Sequence, residues 1–237
     1  MGTKRLVAIA VAASLAGALA ATGAGPASGE ATVDAASFTT TIDNPYFPMP
    51  VGATFVYRGV RDGKSQVDRV TVTDRTKVVD GVTIVVVRDV AKHGARLLEK
   101  TFDWYAQDSD GAVWYFGENT KTYDANGNVK STEGSWKAGV DGAVAGIIME
   151  AVPTVPDGYR QEFYADHAED TAWVLSLGNA ITVPYGRLHH VLLTMEWTRL
   201  EPDVVDQKYY ARGIGLVAEV AVAGDQEVAK LVQFETP

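Results

Sequence analysis

The sequence predicts a mainly β fold, a single curved antiparallel sheet or half-open barrel with little helix beyond its leader. Turn signals recur every ~8 to 15 residues between short runs rich in Val, Thr, Tyr and Trp, the spacing of an all-β domain. Asp80-Gly81 separates the β-branched runs at 77–79 and 82–87. That dipeptide suits a tight primed turn, which needs positive φ. After the leader, no 12-residue stretch keeps a clean helical period.

The chain opens with Lys4 and Arg5, an apolar run over 6–21 and then small residues, the order of a secretory signal peptide. As a helix that run would span about 24 Å, short of the ~30 Å hydrocarbon core. The expectation is a leader over 1–29 cleaved somewhere between 20 and 36, a flexible spacer over 30–41 and one β-rich domain over 42–237. No transmembrane span follows the leader, so the mature protein is expected to be secreted or held in the cell envelope. The domain starts at Asp43-Asn44-Pro45-Tyr46-Phe47-Pro48-Met49-Pro50, whose prolines forbid helix and ladder pairing. Within 67–73, Val67, Arg69, Thr71 and Thr73 face one way and Asp68, Val70 and Val72 the other. Further strands are expected at 96–107, 113–117, 159–164, 171–177, 190–197, 205–211, 216–222 and 228–234. Between them, 139–149 reads equally as a helix or a buried loop.

Hydrophobic residues at 46% and charged residues at 22% are globular values and exclude general disorder. With no cysteine, disulfides, thiolate metal sites and a lipidated cysteine are ruled out. Removing the leader leaves 19 basic against 30 acidic residues, a net charge of −11. No basic run exceeds two residues, so nucleic acid is not expected as a partner. A small apolar ligand or an envelope protein remains open, and no cofactor is indicated.

Aromatic residues concentrate at 102–105 and 114–116, on both arms of one expected hairpin. Alternation sets Trp104 opposite Tyr105 and Trp114 opposite Tyr115, so both faces must be covered. A wrapped sheet with plain core packing would do this, as would a hairpin lining a ligand cavity. Trp104, Tyr105, Trp114, Tyr115 and, further along, Tyr209 are therefore the candidate ligand-binding residues. The densest polar cluster is Asp166-His167-Ala168-Glu169-Asp170, near Glu162. Glu162, His167, Glu169 and Asp170 are the candidate acids, bases or ligands of a hydrolase, set against a plain solvated loop. Asp124, Asn126 and Glu133 fit part of a calcium loop, but the first position is Thr122 and an Asn-Gly turn explains the pattern without metal. His190, Thr194 and Glu196 share one parity of a strand, read as its solvent face, with Met195 and Trp197 on the other. Serine-elbow, Ser-x-x-Lys, His-Glu-x-x-His and phosphate-loop motifs are absent.

Several segments resemble an uncharacterised family of exported bacterial β-rich proteins. They are Asp43 to Pro48, Asp103 to Asp108 with Val113 to Glu118, Ala168 to Asp170, Val183 to Gly186 and Lys208 to Gly215. The resemblance implies export and carries no activity or catalytic residues. More distantly, the Val-Pro-x-Gly turn and the Tyr-Tyr-Ala-x-Gly-x-Gly pattern are similar to lipoprotein-carrier (LolA-like) half-barrels, whose curved sheets wrap an apolar cavity. Those domains imply an acyl ligand, although this chain has neither a lipidation cysteine nor a clear lid helix. The first functional reading is a secreted, non-enzymatic module binding a small hydrophobic or amphiphilic ligand. The alternatives are an extracellular hydrolase and a cell-envelope structural or interaction protein.

Overall fold

The computed structural model describes residues 34–61, 63–224 and 226–237; the expected leader lies outside them. A 3-10 turn at Ala35–Ser37 precedes β1 (Phe38–Thr39). The Pro-rich segment then leads into a meander of β2 (Thr54–Arg61), β3 (Lys64–Val79), β4 (Val82–His93), β5 (Arg96–Asp108) and β6 (Val113–Tyr123). The short strands β7 (Val129–Ser131) and β8 (Trp136–Lys137) attach to β6, as does β9 (Val144–Met149). After β10 (Gly158–Arg160) and β11 (Glu162–Phe163), a second meander follows: β12 (Asp170–Val183), β13 (Gly186–Thr198), β14 (Val205–Ala211), β15 (Gly215–Ala223) and β16 (Val228–Glu235). Every pairing is antiparallel, and among the described residues there is no α-helix.

The two meanders join where β16 pairs with β2, which leaves free edges at β12 and β9. One short segment meets both: β10 pairs with β12, and β11 pairs with β9. Residues 158–163 therefore nearly close the curved sheet into a barrel, more completely than a half-open form. Closure removes exposed edges that would otherwise template aggregation. Gly146 makes the seam possible, because a Cβ there would run into the Gln161 and Arg160 backbone. The Asp80-Gly81 turn joins β3 to β4 as expected, with both residues at positive φ (48° and 79°).

Two expectations are corrected. The 139–149 region holds no helix and is loop only over 139–143: Val144–Met149 forms β9, where it supplies one of the closing edges. The polar parity of 190–197 is not the solvent face. Thr194 and Glu196 are buried inside the barrel, whereas Met195 and Trp197 lie half-buried on its outer wall. The interior accepts these polar groups because Lys208, on the neighbouring β14, points inward beside them.

Candidate functional site

The barrel interior divides into an aromatic end and a polar end. Along β5 the inward positions are Glu99, Thr101, Asp103, Tyr105 and Gln107, all buried. Gln107, at the aromatic end, secures the Pro-rich segment. Its Oε1 accepts from the backbone N–H groups of Asp43 and Asn44, and its Nε2 donates to Asp43 Oδ1. The Asn44 Nδ2 group donates to the carbonyls of Gly111 and Glu150, at 2.8 and 3.0 Å. So anchored, Phe47 packs against Tyr105 at 5.4 Å between ring centroids. Tyr105 stacks on Tyr115 at 5.0 Å, and Tyr115 meets Trp136 edge-on at 5.4 Å.

Beyond these rings the lining becomes acidic. Asp103 and Glu118 are directly opposed across β5 and β6. The Tyr115 hydroxyl donates to Asp103 Oδ1 at 3.1 Å, while Asp103 Oδ2, Glu118 Oε2 and the Tyr105 hydroxyl have no hydrogen-bond partner among the described residues. Burial, together with the field of neighbouring carboxyls, raises the pKa values of Asp103 and Glu118 well above the carboxylate range. Both are therefore biased toward the protonated form, in which a carboxyl donates a hydrogen bond as well as accepting one. The same causes, with burial first, push Asp68 up to about 9 and Glu99 up to about 7. The phenols of Tyr105 and Tyr115 are also raised by burial and by these acids, so they remain neutral.

On the opposite wall, Lys208 Nζ lies 2.8 Å from Glu196 Oε2 and 3.9 Å from Glu219 Oε1. Burial by itself would lower the lysine pKa, but Glu196 and Glu219 outweigh it and hold the ammonium charged. Tyr210 donates to Glu196 Oε1 at 3.2 Å, as does Thr194 at 2.8 Å. Lys208 thus offsets two acids on this wall of the barrel.

The candidate ligand-binding residues are divided between two faces. Tyr105 and Tyr115 line the interior. Trp104 and Trp114 lie on the outer face: Trp104 under Lys77 Nζ at 3.4 Å, and Trp114 donating to Asp108 Oδ2 at 2.8 Å and edge-on to Phe38. Tyr209 is half-buried on the outer wall, its hydroxyl donating to Gln207 Oε1.

The candidate hydrolase residues are divided as well. Glu162 is buried within the barrel close enough to raise the pKa values of Glu118 and Tyr105, and Asp170 is buried at the start of β12. Glu169 is clamped by Arg199, whose Nη2 donates to Oε1 at 2.6 Å and whose Nε donates to Oε2; the Asp166 N–H also donates to Oε1. His167 is exposed and stacks on Tyr164 at 4.3 Å. His167 and Glu133 share a surface pocket of about 140 Å³ with Ser135 and Trp136.

Asp124, a calcium candidate, accepts from the N–H groups of Asn126 and Asn128 in its own turn, which holds its carboxyl below the usual range. Among the described residues, no three acidic or histidine side chains converge on a metal-sized site. Sequence reasoning missed Asp103, Glu118 and Lys208. Their signal was a charged residue at an alternate strand position among apolar neighbours, which also fits an exposed face.

No family model matches the chain, and no curated protein matches it. Two solved structures do. One is a candidate exported protein with a YmcC-like fold from Bacteroides fragilis NCTC 9343, 13% identical over 81% of this chain and 99% of that one, with a TM-score of 0.46. The other is a candidate lipoprotein from Parabacteroides distasonis ATCC 8503, 11% identical over 80% of this chain and 98% of that one, with a TM-score of 0.43. The similarity to lipoprotein-carrier half-barrels is not shown by these two.

Proposed function

We propose that the chain is an exported, non-enzymatic binding protein that takes a small amphiphilic ligand into its barrel. The observation carrying this reading is the wall shared by Tyr105, Tyr115, Asp103 and Glu118. It sets stacked rings beside two carboxyls whose pKa values burial raises, and three of its polar atoms have no hydrogen-bond partner among the described residues. Such a wall offers apolar surface to a ring or short chain, and both donors and acceptors to a hydroxyl or amine at its end. Phe47 lies on the Tyr105 ring from a segment of irregular backbone, so Phe47 is the side chain a guest displaces. Burying one such group contributes ~1.5–3 kcal/mol, so a few contacts reach the ~8 kcal/mol of micromolar binding. The hydrolase alternative has no comparable support, because Arg199 already engages both oxygens of Glu169.

Trp136, edge-on to Tyr115, is a built-in reporter. A panel of medium-chain amines, alcohols and aromatic amines should include members that shift its emission saturably, and Trp136→Phe should abolish the shift. Phe47→Ala, which makes room beside Tyr105, should tighten the same binding. No saturable response from either protein, with the fold intact by circular dichroism, overturns the reading.

A further inference from the structure

We infer that the outer wall of β2–β6 is a docking face for an anionic bilayer surface, independently of any ligand inside. The argument begins with three adjacent pairs: Asp68-Arg69, Arg88-Asp89 and Glu99-Lys100. Along the chain their charges cancel. On a strand, neighbours point to opposite faces, and in each pair the acid is buried inside while the cation lies on the outside.

Register assembles the cations into a grid. Arg69, Val90, Lys100 and Lys121 form one row across β3, β4, β5 and β6. Arg58, Val67 and Lys92 form the next row across β2, β3 and β4. Arg88 extends the grid from the other side, beside Phe102. With strands ~4.8 Å apart and same-face residues ~6.8 Å apart, six positive charges fall within a patch about 20 Å across. Lys100 and Lys121 are direct cross-strand partners, an arrangement that is destabilising in isolation and relieved by an anionic surface. Among the described residues, no ion pair ties these six cations to a carboxylate. The acids these strands turn outward, Asp74 and Asp108, lie toward the opposite end of the wall.

Two features favour a bilayer over a linear polyanion. First, the rings here are already covered: Lys100 and Arg75 sit over Phe102 at 4.9 and 5.6 Å, and Lys77 sits over Trp104 at 3.4 Å. Those faces are not free to stack on bases, as single-strand binding requires. Second, apolar side chains are interleaved with the charges. Val67 is 39% exposed within the grid and Val60 is 46% exposed at its border. A row through Val60, Val228 and Val220 then continues toward Trp173. Cations among half-exposed apolar groups match the headgroup region, which takes both. The chain's net charge of −9 does not oppose this at close range, since much of the acid is inside and salt screens the remainder beyond ~8–10 Å.

The test is co-sedimentation of the full chain with vesicles of phosphatidylcholine alone and of phosphatidylcholine mixed with phosphatidylglycerol. Binding is expected only to the anionic vesicles, falling as salt rises. Arg69→Ser with Lys100→Ser and Lys121→Ser should weaken it by about tenfold or more. Arg187→Ser with Arg212→Ser, elsewhere on the surface, should leave it unchanged. An unchanged urea midpoint in the triple variant verifies its fold, and Lys121→Ser alone, which keeps Lys100 over the Phe102 ring, serves as the milder variant. The inference is overturned by equal binding to neutral vesicles, by no binding at low salt or by undiminished binding of the variants. Tighter binding of single-stranded DNA than of vesicles at the same salt also overturns it, by assigning the face to a linear polyanion.

Discussion

Lys208 is the residue on which the interior charge balance turns. It is fully buried and serves both Glu196 and Glu219, so removing it strands two acids in a low-dielectric interior. Lys208→Met should cost ~3–5 kcal/mol in urea unfolding, the penalty of breaking a buried pair. Adding Glu196→Gln and Glu219→Gln should recover part of that loss, and no recovery would refute the charge explanation. Asn44 has a comparable role for the Pro-rich segment, holding two backbone carbonyls that are otherwise covered. Asn44→Ala should lower stability by about 1–3 kcal/mol, the cost of leaving buried polar groups unmet. If Asn44→Ala unfolds at the wild-type urea midpoint, those bonds do not hold the segment. Neither role was readable along the chain. Lys208 stands one residue before Tyr209-Tyr210, and only the β13–β14 register sets it against Glu196.

At the scale of elements, closure depends on the short strands β9, β10 and β11. Gly146→Ala should cost ~1–3 kcal/mol through overpacking against the Gln161 backbone. The loss should be local: amide exchange should accelerate first in 158–163 and 144–149 while β3–β5 keep their protection. Uniform acceleration would mean that the seam is not a separate unit. The long hairpins were legible because alternation and the Asp-Gly turn are local signals. The short seam strands were not, since two- and three-residue strands have too few positions to show a period. Their pairing is decided by partners far along the chain.

For the whole molecule, the acid-lined interior predicts an unusual pH dependence. Asp68 is raised to about 9, and Glu99 and Glu219 to about 7, all above their unfolded values near 4. A group with a raised folded pKa keeps its proton longer in the native state. Its stabilisation is complete below the unfolded value and is lost as pH rises through the folded one. The urea midpoint should therefore fall between pH 5 and 9, by at most ~1.4 kcal/mol per pH unit for each group. Glu99→Gln should flatten the portion up to pH 7. A midpoint that stays constant from pH 5 to 9 would contradict a proton-retaining interior.

By itself the sequence determined that this chain is a cysteine-free, antiparallel β domain with tight turns, because turn chemistry and strand alternation act over a few neighbouring residues. Tertiary structure alone decided which parity faces inward. Alternation separates residues into two faces without stating which one meets water, and here many charged positions went inside. It was closure of the sheet, with Lys208 on one wall and carboxyls of raised pKa on the other, that made an acidic interior stable and left cations on the outer wall of β2–β6.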